Sequence, residues 1–280
     1  MTKKPTFSVI IPCLNEEKYL PKLLSSLVRQ TYRNFEVIVA DGQSDDRTVE
    51  IFHKVRSKLP SSELVVASKR NVAYQRNFGA MSANGEYLVF LDADTDVSVT
   101  FLEELHVAIL KKKFLLATTW IAPDTNRSFD RFIILLGNLG QELAKGVGKP
   151  YVGGYNTIVK RNIFFKLKGF REDVKINEDH DFALRAHKLK ISVFIMKEPV
   201  VTYSLRRHRS VGFFRLIPKL AYGQLYMHLI GPLKSDGFDY PMGGHVHARK
   251  RKRRYDLTKI DTYVKGIDTL EKKLIRLLTV

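Results

Sequence analysis

The sequence lacks the features that mark several large classes of protein. Its 280 residues include a single cysteine, Cys13, so no disulfide can form within the chain, which fits a reducing compartment. No run of about 18 uninterrupted apolar residues is present, as a membrane-spanning helix would require. No secretory leader is recognisable either, because the apolar run at residues 9–11 is short. We therefore expect a cytoplasmic protein in which Cys13 is a small apolar residue near a strand end.

Motifs of other enzyme classes are also missing. Gly-x-Gly-x-x-Gly does not follow the first predicted strand, which weighs against a dinucleotide-binding oxidoreductase. No Gly-x-x-x-x-Gly-Lys-Ser/Thr stretch indicates a nucleotide hydrolase. The histidines and the lone cysteine do not have the spacing of a zinc site.

Acidic residues are few relative to basic ones. The chain carries 47 Lys and Arg against 29 Asp and Glu, and its formal net charge is +18. From Val201 onward 17 basic residues oppose 6 acidic ones, and residues 249–254 are six basic residues in a row. Such a segment suits an anionic lipid surface, a phosphorylated acceptor or nucleic acid. We expect no nucleic acid as partner, because the base-stacking aromatics that should accompany the charge are not seen.

Short apolar segments alternate with amphipathic ones through the first half of the chain. Strands are predicted at residues 7–11, 35–40, 64–67, 87–91 and 115–121, and helices at 16–29, 47–58, 72–83 and 98–112. The second half predicts helices at 131–145, 178–188 and 260–278, and strands at 156–159 and 192–196. Strands that are apolar on both faces and alternate with helices form parallel sheets that helices cover. The pattern therefore predicts an α/β fold with a mostly parallel central sheet.

Polar loops follow the predicted strands, where ligands of such sheets bind. Asp92 and Asp94 follow the fourth strand with Ala93 between them. Their carboxylates can converge on Mg²⁺ or Mn²⁺, which typically takes one or two carboxylates plus substrate phosphates. The metal would neutralise charge on a departing diphosphate. The alternative is that Asp94 and Asp96 only cap the helix that follows.

Three further positions each allow a functional and a structural interpretation. Asp41 could accept a hydrogen bond from a nucleotide base, or simply begin an Asp-Gly turn. Arg76 could donate to phosphate, or lie exposed to solvent. Glu178 or Asp179 could be a general base, although acids in the first turn of a helix are favoured whatever the function.

Four ordered stretches resemble motifs of the family 2 glycosyltransferases of the GT-A fold. They are residues 9–17 (Val-Ile-Ile-Pro-Cys-Leu-Asn-Glu-Glu), 41–48 (Asp-Gly-Gln-Ser-Asp-Asp-Arg-Thr), 76–80 with 85–94 (ending Leu-Asp-Ala-Asp), and 177–185 (Asn-Glu-Asp-His-Asp-Phe-Ala-Leu-Arg). The resemblance spans about residues 5–205. It implies an inverting transferase that moves a sugar from a nucleoside-diphosphate sugar, UDP- or GDP-linked, to an acceptor hydroxyl or lipid-linked acceptor. Thr95 and Asp96 depart from the pattern of polyprenyl-phosphate sugar synthases.

The resemblance also implies roles for particular residues. Asp179 is the expected base. The expected donor-binding residues are Pro12, Leu14, Asn15, Glu16, Asp41, Arg76, Asp92, Ala93 and Asp94, of which Asp92 and Asp94 also hold the metal. The acceptor-side candidates are Trp120, Gly153, Gly154, Glu178, Arg206, Arg207 and Arg209. The three arginines could grip an acceptor phosphate or face solvent.

We expect a catalytic domain over residues 1–205, with a donor half at about 1–121 and an acceptor half at about 122–205. A basic, largely helical extension would follow at 206–280, where peripheral membrane contact and a homodimer through the helix at 260–278 are possible roles. Three other functions compete. A nucleotidyltransferase of the same fold should open with a glycine- and lysine-bearing loop, which residues 12–17 lack. The second is a basic nucleic-acid-binding protein, and the third is a catalytically silent scaffold, against which the intact Asp92, Asp94 and Asp179 argue.

Overall fold

A computed structural model of the protein describes residues 4–174, 177–206 and 209. Its strands are β1 (Phe7–Cys13), β2 (Phe35–Asp41), β3 (Ser62–Val66), β4 (Tyr87–Phe90), β5 (Asp96–Val97), β6 (Leu116–Pro123), β7 (Thr157–Lys160) and β8 (Val193–Tyr203). Its α-helices are α1 (Leu20–Val28), α2 (Thr48–Val55), α3 (Val72–Ser82), α4 (Phe101–Lys112), α5 (Ser128–Gly146), α6 (Arg161–Lys166) and α7 (Glu178–Lys188). The α/β class predicted from the sequence is confirmed.

The eight strands form one sheet in the order β3-β2-β1-β4-β7-β6-β8-β5. The first four neighbours run parallel, as predicted. The second half of the sheet is mixed, because β7 is antiparallel to both β4 and β6, β8 is parallel to β6, and β5 is antiparallel to β8. The uninterrupted run of parallel strands therefore lies in the half of the sheet that carries the loops after β1, β2 and β4.

Helices cover the sheet on both faces, which explains why its central strands are apolar throughout. Along β1, Val9 and Ile11 belong to the hydrophobic cluster that includes residues of α1, α2 and α4, whereas Ile10 belongs to the cluster that includes residues of α3, α5, α6 and α7. Every residue of β1 is buried. Burying one such aliphatic side chain stabilises the fold by about 1.5–3 kcal/mol, so these strands fix the framework from which the polar loops extend.

Several element boundaries differ from the predicted ones for local reasons. Helix α1 begins at Leu20 rather than at residue 16. The residues before it form a separate turn, in which the Glu16 carbonyl accepts the Tyr19 and Leu20 amides. Pro21 then lies in the first turn of the helix, where a proline is tolerated. Strand β8 runs to Tyr203 rather than ending at residue 196. It passes through Pro199 where the β6–β8 register shifts, and such an irregularity tolerates a proline that lacks an N–H.

Within the described residues, no helix combines the length and apolarity needed to cross a membrane. Several predictions for the C-terminal part lie outside the described residues. They are the role of Arg207, the basic run at 249–254, the helix at 260–278 and, apart from Arg206 and Arg209, the whole extension at 206–280.

Candidate active site

The loops after β1 and β2 are hydrogen-bonded to each other at the carboxyl edge of the sheet. Cys13 lies opposite Asp41 in the parallel register, and the Gly42 amide donates to the Cys13 carbonyl at 2.8 Å. The Asn15 amide donates to Ser44 Oγ, and Asn15 Oδ1 accepts the Asp45 amide at 2.7 Å. Burial, followed by the nearby carboxylates, raises the pKa of the Cys13 thiol well above its ordinary value. Cys13 is thus a buried core residue at the end of β1, as expected.

Asp41 combines burial with an unmet hydrogen-bonding capacity. Its Oδ2 accepts the Ser44 amide at 3.0 Å. Its Oδ1 has no hydrogen-bond partner among the described residues, although Asp41 is only 1% exposed. An unsatisfied acceptor at such a site calls for a ligand or ordered water. Pro12 is buried near the end of β1, and Leu14, on the loop that follows, is half-buried.

The Asp92-Ala93-Asp94 stretch forms a turn after β4, in which Thr95 donates to the Asp92 carbonyl through its amide and hydroxyl. Ala93 is buried, and the Asp92 and Asp94 side chains are 31% and 12% exposed. The helix-capping alternative is wrong, because α4 begins only at Phe101.

Asp96, the other residue of the capping alternative, is occupied elsewhere. It accepts the Ser26 hydroxyl and pairs with Lys22 at 3.0 Å, so it ties the edge of the sheet to α1. Asp96 is therefore a structural residue, and the aspartates available to a ligand at this loop are Asp92 and Asp94.

Arg76 is buried at the centre of the site rather than exposed to solvent. Its Nη2 donates to Asp92 Oδ1 at 2.8 Å, and its Nη1 donates to Glu178 Oε1 at 2.6 Å. Burial lowers the pKa of Arg76, but the charges of Asp92, Glu178 and Asp179 outweigh it, so the pKa is raised overall. The guanidinium is a permanent positive charge that joins the loop after β4 to the start of α7.

Asp179 lies beside Glu178 in the first turn of α7. Its Oδ2 accepts the Gly154 amide at 2.6 Å, and its Oδ1 accepts the His180 amide at 2.8 Å. Backbone donors therefore fix the orientation of this carboxylate. For Glu178, burial first and the Asp179 charge second raise the pKa above its ordinary range.

Gly153 and Gly154, which were predicted on the acceptor side, pack tightly against site residues. A Cβ atom on Gly154 would lie 2.4 Å from Arg76 Nη1, and one on Gly153 would lie 2.5 Å from the Tyr155 ring. The lack of a side chain at Gly154 lets this loop pass close to the Arg76 guanidinium, and its lack at Gly153 leaves room for the Tyr155 ring.

Trp120 is mostly a core residue. It is 6% exposed and belongs to the cluster that includes Leu135 and Val152. Its Nε1 has no hydrogen-bond partner among the described residues, and Lys197 Nζ lies 5.7 Å from the ring centroid.

Arg206 lies against two residues that are predicted to bind the donor, although Arg206 itself is predicted on the acceptor side. Its Nη1 and Nη2 donate to the two Glu16 carboxylate oxygens at 2.8 and 2.9 Å, and its Nε lies 2.7 Å from Asp94 Oδ2. Its guanidinium also lies 4.2 Å from the Tyr19 ring centroid. Arg209 instead pairs with Asp124 at 2.5 Å. Sequence reasoning missed Tyr19, which reads as one more residue of an amphipathic helix.

The site carries an excess of negative charge. Its carboxylates are Glu16, Asp92, Asp94, Glu178 and Asp179, and its guanidinium groups are those of Arg76 and Arg206. Among the described residues no group of three or more His, Cys, Asp or Glu could hold a metal ion. A cation here would have at most two protein ligands from this set, which fits Mg²⁺ or Mn²⁺ sharing its coordination with substrate phosphates.

The chain is similar in sequence to known sugar transferases. The family model described as glycosyl transferase family 2 matches residues 8–167. The poly(ribitol-phosphate) beta-N-acetylglucosaminyltransferase TarS of Staphylococcus aureus strain MW2 is 28% identical over 212 residues, or 72% of this chain and 36% of the relative. The chain thus spans about a third of that relative's length. The dolichyl N-acetyl-alpha-D-glucosaminyl phosphate 3-beta-D-2,3-diacetamido-2,3-dideoxy-beta-D-glucuronosyltransferase of Methanococcus voltae is 26% identical, over 74% of this chain and 68% of the relative.

Solved structures show the same fold. A mannosyltransferase from Pyrobaculum calidifontis, solved in complex with GDP-Man and Mn²⁺, superposes with a TM-score of 0.61 at 21% identity. The match covers 82% of this chain and 72% of that one. The predicted GT-A fold is thereby confirmed.

Proposed function

Because the chain belongs to glycosyl transferase family 2, we propose that it is an inverting glycosyltransferase. It moves a sugar from a nucleoside-diphosphate sugar, UDP- or GDP-linked, to a hydroxyl of a sugar or lipid-linked acceptor. The observation that carries the proposal is that Asp92 and the oriented carboxylate of Asp179 lie near one buried arginine, Arg76. Asp94 lies on the same turn as Asp92, and the unsatisfied buried acceptor Asp41 ends a parallel strand of the same sheet. The relatives named above, a GlcNAc transferase and a glucuronosyltransferase, support it.

Asp179 is the general base of the proposed reaction. It takes the proton from the acceptor hydroxyl while that oxygen attacks the anomeric carbon. The new C–O bond forms as the bond to the diphosphate oxygen breaks, and the electron pair leaves with the nucleoside diphosphate. One displacement of this kind inverts the anomeric centre. Glu178 is the weaker choice of base, because its Oε1 is already bound to Arg76 at 2.6 Å.

The remaining roles belong to residues on the donor side of the proposed site. Asp41 accepts a hydrogen bond from the nucleotide base at its unsatisfied Oδ1. Asp92 and Asp94 would hold Mg²⁺ or Mn²⁺, which when bound would neutralise charge on the departing diphosphate. Arg76 orients Asp92 and adds a fixed positive charge nearby.

Donor class is tested by thermal shift with a panel of nucleoside diphosphates and their sugars, each with Mn²⁺ or Mg²⁺. We expect one of UDP and GDP to raise the melting temperature, and Asp41→Asn to reduce that discrimination. Equal shifts for every base would contradict the assignment of Asp41.

Reaction class is tested by NMR of the product after incubation with the stabilising donor and simple sugar acceptors. The expected product has inverted anomeric configuration, and the double variant Asp92→Asn, Asp94→Asn should form none. Full activity of that variant, or a product of retained configuration, would overturn the mechanism. Release of pyrophosphate from a nucleoside triphosphate and a sugar phosphate would indicate a nucleotidyltransferase instead.

A further inference from the structure

One side chain from the end of the described chain closes the donor edge of the site. Arg206 follows β8, yet its guanidinium binds Glu16, on the loop after β1, and Asp94, on the loop after β4. The three side chains are only 13%, 7% and 12% exposed. This contact uses three guanidinium nitrogens, so it is a specific geometry rather than a loose surface pair.

A second contact holds the same segment in place independently of Arg206. Asp124 accepts the Leu205 amide at 3.2 Å and the Arg209 guanidinium at 2.5 Å. The Asp124 amide in turn donates to the Tyr203 carbonyl. The segment that carries Arg206 is thus anchored beside the site by Asp124, and the Arg206 side chain reaches into the site.

The Arg206 guanidinium places a positive charge against two carboxylates that are largely shielded from solvent. Burial raises the pKa of Glu16, and the Arg206 hydrogen bonds and charge oppose that rise. Asp94 Oδ2, one of the two carboxylates expected to bind a divalent cation, is 2.7 Å from Arg206 Nε. A divalent cation on Asp94 would lie close to a fixed positive charge, and the two would repel each other in this low-dielectric setting.

We propose that Arg206 is an internal counter-cation, which occupies Asp94 and Glu16 when no metal and donor are bound and which the metal must displace from Asp94. The inference rests on the proposed function and adds an order of events to it. Metal alone binds weakly, because it must compete with the guanidinium. Metal that arrives with a nucleoside diphosphate binds better, because the phosphates supply further ligands. Arg206 thereby discourages the site from filling with metal before the donor.

The test measures Mn²⁺ binding in the absence of any nucleotide, by electron paramagnetic resonance of the free ion. Arg206→Gln should bind Mn²⁺ about tenfold more tightly than the unmodified protein, because a competing charge is gone. Adding Asp94→Asn to Arg206→Gln should abolish the gain in Mn²⁺ affinity. The matched control is Arg209→Gln, which removes the same charge from the same segment at the Asp124 contact and should leave the affinity within about twofold. Unchanged or weaker binding by Arg206→Gln would overturn the proposal.

A second measurement avoids substitution, in case Arg206→Gln unfolds. The Nε–H resonance of Arg206 is followed by NMR in the unmodified protein as Mg²⁺, a diamagnetic substitute for Mn²⁺, is raised to saturation. The resonance should shift, because Arg206 Nε, which lies 2.7 Å from Asp94 Oδ2 without metal, leaves that oxygen when the cation binds. An unchanged resonance at saturation would overturn the proposal. Neither measurement uses a sugar donor, so failure of the proposed transfer reaction would leave both results interpretable.

Discussion

Asp92 and Glu178 bind the two terminal nitrogens of one buried guanidinium, that of Arg76, at 2.8 and 2.6 Å. Asp92 belongs to the loop after β4 and Glu178 opens α7, so a single side chain links the proposed metal loop to the helix of the proposed base. The Arg76 side chain is only 4% exposed. Arg76 therefore contributes to holding the two halves of the site in their relative position.

Arg76→Ala should lower the free energy of unfolding by about 3–5 kcal/mol, because it leaves buried carboxylates without their counter-charge. Urea denaturation at neutral pH measures the loss. The control is Arg70→Ala, whose partner Asp45 lies at 2.7 Å but whose pair is largely exposed, so that about 0–1 kcal/mol is expected. Equal losses of unfolding free energy in the two variants would show that burial of Arg76 does not determine how much it contributes to stability.

Gly154→Ala should disturb the site, because its Cβ atom would lie 2.4 Å from Arg76 Nη1 in a place where the guanidinium has no room to move. Overpacking of this kind costs about 1–3 kcal/mol, and activity should fall with it. Gly137→Ala is the matched control. Nothing lies within 4 Å of a Cβ atom there, in the exposed middle of α5, so alanine should stabilise the helix by about 1 kcal/mol. Thermal melts and transfer assays of both variants distinguish the two cases.

Asp179→Asn should lower kcat by roughly 10²–10⁴-fold, as expected when a general base is lost. The amide can keep the contact with the Gly154 N–H through its oxygen, so donor binding in the thermal-shift panel should be retained. Asp173→Asn, the same change at a half-exposed ion pair with Arg171, should leave both kcat and donor binding unaltered. If Asp179→Asn keeps full activity, another residue is the base.

The sequence predicts the parallel half of the fold well because its signals are local. Strand β1 is apolar at nearly every position, and burial on both faces requires that. The polar residues that follow such strands, Asp41 and Asp92 among them, lie where the carboxyl ends of parallel strands meet. Their approximate location follows from the strand pattern alone.

The position of Arg206 could not be predicted in the same way. It contacts Glu16 across 190 positions of the chain, and its approach depends on β8 running parallel to β6 at the far side of a mixed sheet. The surroundings of Arg76 could not be predicted from the sequence either. Its position in the sequence does not reveal that it is buried between two carboxylates from different parts of the chain. Pairings set by tertiary structure decide whether an arginine faces solvent or a site.

Glu16 makes the stability of the protein depend on pH in a direction that can be stated. Burial raises its folded-state pKa above the ordinary 4.5 despite the opposing effect of Arg206, so the folded protein binds more protons than the unfolded chain above pH 4.5. The stability contributed by this group is fully present below pH 4.5 and is lost as pH rises through the raised pKa. The glutamine side chain of the Glu16→Gln variant does not titrate, so the variant lacks this pH-dependent contribution.

The free energy of unfolding of the unmodified protein, relative to that of Glu16→Gln, should therefore fall as pH increases from 4.5. Urea denaturation of both proteins at a series of pH values up to about 7.5 measures the difference, and comparing the two cancels the other titrating groups. A difference that grows in favour of the unmodified protein as pH rises would mean that the ion pair with Arg206 outweighs the cost of burying the carboxylate. In that case Arg206 would hold Glu16 more strongly than burial opposes it, and displacing the guanidinium from this loop would be correspondingly harder.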